Sequence, residues 1–386
     1  MKHVPLHDLL ALSDSGVWGD EDNENGVSVL RSTNFNRDGT LNFKKPSFRD
    51  IDLKKRDAKL LSVGDILLEK SGGGPQQPVG RVCLFQGSEL PQSFGNFIAR
   101  LRPTDEVLSE YLFYYLWQFH ALGKTSHYQK QTTGIRNLET KRYLAIEVPV
   151  PPLAEQSRIV DILSRAESIV KLRREAEKKA AELIPALFLD MFGDPTTNPK
   201  GWPVSYLGEH VDIASAVRTP DLNHDADLPC IGADSIEGHT GKLVSLPIVR
   251  DVQPISGKYR FKLGDVLYSK IRPYLAKASL APCVGYCSAD MYPLSCKPSL
   301  RTNFLLELLL SKSFTDYATA ESVRAQMPKL NRQTLFAYKF PVPPTEIQEQ
   351  FSDRANAAYS IQSQQAAATA MAQDTFDALL SQVFAV

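Results

Sequence analysis

The stretch Val148-Pro149-Val150-Pro151-Pro152-Leu153-Ala154-Glu155-Gln156 returns 192 positions later as Phe340-Pro341-Val342-Pro343-Pro344-Thr345-Glu346-Ile347-Gln348. Proline removes a ladder donor and biases its predecessor away from helix, so each copy reads as an extended strand handing over to a helix. The echo continues upstream. Leu61-Ser62-Val63-Gly64-Asp65-Ile66-Leu67-Leu68-Glu69-Lys70 matches Phe261-Lys262-Leu263-Gly264-Asp265-Val266-Leu267-Tyr268-Ser269-Lys270 at an offset of 200, and Asp38-Gly39-Thr40-Leu41 matches Thr240-Gly241-Lys242-Leu243 at 202. Loop insertions leave such drifting offsets in diverged copies. Two copies of this size mean two equivalent units, whereas a solenoid needs three or more smaller repeats.

Each copy has the same order of parts. A β-rich stretch punctuated by Gly, Pro, Asn and Asp comes first, and its Gly-Asp turn leads into a buried strand. A helix follows, over 108–121 in copy one and 303–319 in copy two. After the first joint, Ile159, Ile162, Ala166, Ile169, Arg173, Ala176, Ala180, Leu183 and Leu187 step by three and four, a heptad seam broken by Arg173. A helix over 153–190 is about 55 Å long, too long to bury its seam on one compact domain. Pro185 should kink its last turns, and Gly193-Asp194-Pro195 should end it. The same offset places Phe351, Arg354, Ala358, Ile361, Gln365, Ala368, Ala372, Thr375 and Leu379 on a smaller, Ala-rich seam. The expected fold class is α+β: two mixed α/β domains, each followed by a long helix, the helices pairing as an antiparallel coiled coil. The residues also suit two helices that each bind a separate partner.

The 386 residues suit two domains, and 43% hydrophobic and 23% charged content is ordinary for a globular protein. No stretch has the roughly 18 apolar residues of a membrane span, and the first residues do not read as a signal peptide. Five cysteines, an odd number, suggest a reducing, cytoplasmic setting. Net charge is zero, yet residues 258–339 hold 13 basic against 5 acidic side chains. Such a region can face phosphate while acidic surface lies elsewhere; it is also what a solvated surface can show by chance.

The repeat, the Pro-Pro-x-x-Glu-Gln joint, the long helix and the ending Ala186-Leu187-Phe188-Leu189-Asp190-Met191-Phe192-Gly193 together resemble the specificity subunits of Type I restriction–modification systems. The resemblance covers nearly the whole chain. It implies a target recognition domain over 1–150, a conserved spacer helix over 151–194, a second recognition domain over 195–342 and a second helix over 343–386. It further implies that each domain reads half of a split site in double-stranded DNA, and that the helices dock two DNA adenine methyltransferase (modification) subunits. Those partners would bring S-adenosylmethionine, motor-nuclease subunits would bring ATP and Mg²⁺, and this chain would bind no cofactor. The sequence departs from the family in Ala216-Val217-Arg218-Thr219-Pro220, which keeps only Thr-Pro of the usual Gly-Gly-Thr-Pro, and in Thr345-Glu346-Ile347-Gln348, where Leu-x-Glu-Gln is usual.

DNA recognition needs cations for phosphate and forked or amide side chains for base edges. In copy two, Lys270, Arg272 and Lys277 with Tyr274 leave a buried strand within eight positions; they suit a DNA face, and equally a solvated hairpin with Tyr274 in the core. The matching stretch of copy one offers Lys70, Gln76, Gln77 and Arg81 around three glycines, either a DNA loop or a mobile surface loop. Arg136 and Asn137, and Arg324, Lys329 and Arg332, lie in basic turns near the end of each copy, which the resemblance places on the DNA side. Arg31 and Asn34 are a further early candidate pair. Enzyme signatures are absent. No Asn/Asp-Pro-Pro-aromatic methyltransferase motif occurs, Asp52-Leu53-Lys54 lacks the preceding Pro-Asp of a nuclease, and Cys283, Cys287 and Cys296 lack a fourth ligand for zinc, so no metal site is expected. The alternative to DNA reading is a non-catalytic adaptor on the same scaffold in another phage-defence complex.

Overall fold

The computed structural model describes residues 2–22, 26–74, 77–132, 134–213, 216–322 and 328–384. Its contacts divide it into two compact units, Met1–Leu172 with Ala370–Val386, and Arg173–Thr369.

The first unit is built on an antiparallel sheet in the order Leu10–Ser15, Ile98–Pro103, Ile66–Glu69, Val82–Leu84. The Gly-Asp turn starts its third strand. Gly64 takes a φ of +92°, a conformation costly for any side chain but glycine's, and the buried Asp65 carboxylate accepts the Ser62 N–H at 2.8 Å. Ile66 and Leu68 then point into a core shared with Leu112, Tyr115 and Leu116 of the helix Ser109–Ala121. Leu67, between them, points into a separate cluster with Leu30, Phe35 and Phe94. Both faces of this strand are covered, which is why its sequence runs apolar without alternation. Each large side chain fully buried this way contributes about 1.5–3 kcal/mol.

The second unit repeats the plan. Its sheet runs Val211–Ile213, Met291–Cys296, Val266–Ser269, Ala278–Leu280, Gly264 has a φ of +85°, and buried Asp265 accepts the Lys262 N–H at 2.9 Å. Val266 and Tyr268 face one core and Leu267 another. The helix expected over 303–319 is instead two, Thr302–Leu310 and Lys312–Ala320. Ser311 is extended between them, and its Oγ accepts the Phe314 N–H, capping the second helix.

The two joints are fixed by one residue each. Gln156, fully buried, accepts the Leu108 N–H at 2.8 Å and donates to the carbonyls of Glu106 and Pro151 at 3.1 and 2.9 Å. Gln348 does the same with the Arg301 N–H and the carbonyls of Ser299 and Pro343, at 2.8, 3.2 and 2.8 Å. Leu108 and Arg301 are the N-caps of Ser109–Ala121 and Thr302–Leu310. The repeated glutamine therefore ties the start of each long helix to the start of its domain's own helix.

The first long helix runs Leu153–Ala181, and a second segment, Leu183–Phe192, follows a break at Glu182. The break sits three residues before Pro185, which cannot donate to the preceding turn. Gly193, at φ +80°, ends the segment. The other long helix is Thr345–Val383. In the first unit Ile159, Leu163 and Val170 share a core with Phe376, Leu380 and Phe384, with Ala166 packed against it. In the second unit Ile184, Phe188 and Phe192 share a core with Phe351, Ala355 and Ala358, and Gln362 Nε2 donates to the Ala180 carbonyl at 3.0 Å.

The seam read from the sequence thus holds at some positions and slips by one residue at others. Ile159, Ala166, Phe351 and Ala358 face inward and Ile162 is half-buried, but Ile169, Leu183 and Ile361 are 52%, 45% and 43% exposed. The apolar pairs Ile162-Leu163, Ile169-Val170 and Leu183-Ile184 permit either phase. Packing chose the one that also turns Glu167 toward the domain, where its carboxylate accepts the Tyr114 hydroxyl at 2.6 Å.

Candidate nucleic-acid interface

The loops singled out separately in the sequence are paired in the fold. In the first unit, Ser71–Gly73 joins Ile135–Leu138 and Gln129–Thr132 in a three-stranded sheet, with Arg136 opposite Gly73 and Asn137 opposite Ser71. In the second, Ile271 bridges Lys329, and the Arg272 N–H donates to the Pro328 carbonyl at 2.9 Å. The equivalence extends to single bonds. Leu138 N–H donates to the Lys70 carbonyl and Leu330 N–H to the Lys270 carbonyl, both at 2.8 Å.

Lys70 and Lys270 are therefore the same position in two units, each half-buried under the paired loop. Burial, then repulsion from Lys59, lowers the Lys70 pKa, and its Nζ donates to Ser15 Oγ at 2.6 Å. Burial, then Lys329, lowers the Lys270 pKa, and its ammonium sits 5.0 Å from the Tyr292 ring centroid. A partly desolvated cation next to another cation gains from an approaching anion, which a phosphate supplies. Lys329 itself pairs with Asp290 at 2.9 Å.

Each unit also presents a guanidinium at this pairing with no side-chain partner among the described residues: half-buried Arg136 and exposed Arg272, the latter at φ +48°. Tyr274 is 47% exposed, so it lies outside the core. Exposed Arg332 stacks over Phe336 at 5.0 Å. Asn137 Oδ1 accepts the Ser71 hydroxyl, and Gln77 is exposed. Gln76 and Arg324 lie outside the described residues.

Four other candidates are committed to the scaffold. Arg81 forms a bidentate pair with Glu69 at 2.7 and 2.8 Å and donates to the carbonyls of Ser32 and Phe35, and the hydrogen bond to Glu69 raises its pKa. Lys277 occupies the equivalent position and donates to the Ala233 carbonyl at 2.7 Å. Ser32 and Ala233 each begin a short 3-10 turn, so one cation per unit buttresses the same turn. Asn34 is 4% exposed; its amide accepts the Arg31 N–H and donates to the Asn42 carbonyl, both at 2.9 Å, leaving nothing for a base edge. Arg31 donates to the Lys45 carbonyl at 3.2 Å. These residues shape the units from within.

Sequence reading passed over Phe97 and Asp290. The Lys70 N–H donates to the Phe97 carbonyl and the Lys270 N–H to that of Asp290, so both stand beside the central lysine. The available signal was that each directly precedes a strand of its main sheet. Among the described residues, no group of three His, Cys, Asp or Glu side chains could hold a metal ion, and no helix is long and apolar enough to cross a membrane.

A family model described as the Type I restriction modification DNA specificity domain matches twice, over residues 13–182 and 199–363. The chain is 35% identical over 156 residues to the Type I restriction enzyme EcoDI specificity subunit of Escherichia coli, covering 40% of this chain but only 34% of that protein. It is 23% identical over 368 residues to the MjaVIII specificity subunit of Methanocaldococcus jannaschii, covering 88% and 80% of the two chains. The fold is similar to the crystal structure of a Type-I restriction-modification system S subunit from M. genitalium, with a TM-score of 0.59 at 13% identity, over 99% of this chain and 96% of that one. With a family match in each half, placed over two units of the same sheet order, the chain belongs to the Type I restriction modification DNA specificity family.

Proposed function

We propose that this chain is the non-catalytic, DNA-reading subunit of a Type I restriction–modification complex, each unit recognising one half of a bipartite site in double-stranded DNA. The observation that carries this reading is the duplicated loop pairing, which in both units brings together a partly desolvated lysine and an arginine with no side-chain partner among the described residues. Lysine and arginine bound to phosphate give affinity that falls steeply with salt, while arginine and amide groups read base edges.

The reading includes partners. Two DNA adenine methyltransferase subunits would dock along the long helices, where Ile169 and Leu172 in one unit and Leu183 and Leu189 in the other are exposed. They would supply S-adenosylmethionine chemistry, and motor-nuclease subunits would supply ATP and Mg²⁺, all in the cytoplasm. The test is methylome sequencing of cells carrying this gene with its partner genes. A split motif methylated at adenine in both halves is expected, and replacing residues 1–150 by another such domain should change one half only. A change in both halves, or no methylated motif, would refute the reading.

A further inference from the structure

Counted from the joint glutamines and the N-caps they hold, one contact recurs in both units with its partners exchanged. Eleven residues beyond Gln156 stands Glu167, and eleven beyond Gln348 stands Tyr359. Six residues beyond the N-cap Leu108 stands Tyr114, and six beyond the N-cap Arg301 stands Glu307. In the first unit the tyrosine is on the domain's helix, and its hydroxyl donates to Glu167 on the long helix at 2.6 Å. In the second the tyrosine is on the long helix, and the Tyr359 hydroxyl donates to Glu307 on the domain's helix at 3.5 Å. Tyr114 and Glu307 are buried, and Glu167 and Tyr359 half-buried. The surroundings match position for position: Ile159, Leu163 and Ala166 pack inward in one unit, Phe351, Ala355 and Ala358 in the other. One frame thus accepts the pair either way round.

We propose that this transposed bridge keys each recognition domain to its own long helix. The contact needs one hydroxyl donor and one carboxyl acceptor, and each unit supplies both. A domain carrying tyrosine at this position, seated on the helix of Tyr359, would crowd two phenols into the room of a phenol and a carboxyl. A domain carrying glutamate, seated on the helix of Glu167, would bring two carboxyls together away from water, where one must keep its proton or stay an unpaired charge. Both wrong combinations are therefore penalised, which a pair placed the same way round in both units would not achieve. Resting on the DNA-reading function above, the key also positions the reading loops. Ile66 and Leu68 pack with Ser109–Ala121 and Lys70 directly follows their strand; Val266 and Tyr268 pack with Leu305 and Leu308, and Lys270 follows theirs. A domain that replaces residues 1–150 should accordingly bring a tyrosine to the position of Tyr114.

The experiment is urea unfolding of the full chain carrying Tyr114→Glu, Glu167→Tyr, or both. Each single variant should lower the folded-to-unfolded ratio of the first unit on the order of ten- to a hundredfold. The double variant rebuilds the arrangement of the second unit and should return to within about tenfold of wild type. A double variant whose loss equals the two single losses combined overturns the proposal. The Tyr114→Glu loss relative to wild type should also shrink as pH falls to about 5, because a proton on one of the two carboxyls relieves their repulsion. A loss that does not change with pH overturns the proposal. Asp38 and Lys171, which also act on Glu167, and Glu110, which acts on Tyr114, are the same in every variant. If the double variant does not fold, Tyr114→Phe decides: it should cost about tenfold alone and much less beside Glu167→Met, and equal costs overturn the proposal. Binding of double-stranded oligonucleotides by the wild type is measured alongside. Its absence would refute the DNA-reading function, while the unfolding midpoints still decide the key.

Discussion

Replacing Gln348 by methionine keeps the volume of the side chain and removes the three hydrogen bonds its amide makes at the second joint. The Arg301 N–H would lose its acceptor, and the carbonyls of Ser299 and Pro343 would lose a donor. A buried backbone group left without a partner costs roughly 1–3 kcal/mol, less for a carbonyl that water can reach. The Pro343 contact is wholly buried and the other two partly so. Removing the glutamine's own desolvation offsets part of the loss, so the net destabilisation should be about 2–4 kcal/mol. Urea unfolding of the full chain, followed by far-UV circular dichroism, should show a lower midpoint for the transition of the second unit. Gln156→Met should act in the same way on the first unit, through the Leu108 N–H and the carbonyls of Glu106 and Pro151. A loss under about 0.5 kcal/mol in both variants would refute the clamp, because the orphaned groups would then have found other partners at no cost.

Glu307 is 6% exposed, and burial pushes its pKa up to about 7 against 4.5 in the unfolded chain. The folded state holds the proton more tightly, so its contribution is full below about pH 4.5, falls as pH rises through 7 and is constant above; Glu307→Gln should abolish that slope and gain on the order of 3 kcal/mol relative to wild type at pH 8, read as the difference between their urea midpoints across pH. An identical slope in the variant would count against a buried carboxyl. Arg136→Ala should weaken DNA binding and reduce the salt slope by about one in fluorescence anisotropy titrations, with the melting temperature unchanged. Arg81→Ala should lower the melting temperature first, because Glu69, 2% exposed, loses its bidentate partner, a change worth about 3–5 kcal/mol for a buried pair. Gly264→Ala meets open space but must hold φ near +85°, so a loss of about 1–2 kcal/mol by denaturant titration is expected, and no loss would show that the turn relaxes.

The duplication, the Gly-Asp turn, the joint and the helix ends were legible because each is a local rule. Glycine at positive φ, aspartate capping a turn, proline excluded from a helix interior and a second copy at a fixed offset all lie within a few residues of one another in the chain. The phase of the long helices was legible only in part, at Ile159, Ala166, Phe351 and Ala358. Where two apolar residues are adjacent, as at Ile169-Val170 and Leu183-Ile184, periodicity alone allows either to face inward, and only the domain packed against the helix chooses.

The candidate site divides along the same line. Sequence by itself determined that two similar units exist, that they belong together with a long helix each, and that cations and amides cluster in their loops. Tertiary structure decided which of those side chains are left over. Arg81 and Lys277 carry the same chemistry as Arg136 and Arg272, but the first two meet a carboxylate or backbone carbonyls across more than ten residues. A side chain's chemistry is written in its own letter, whereas its availability depends on what the fold brings within 3 Å of it.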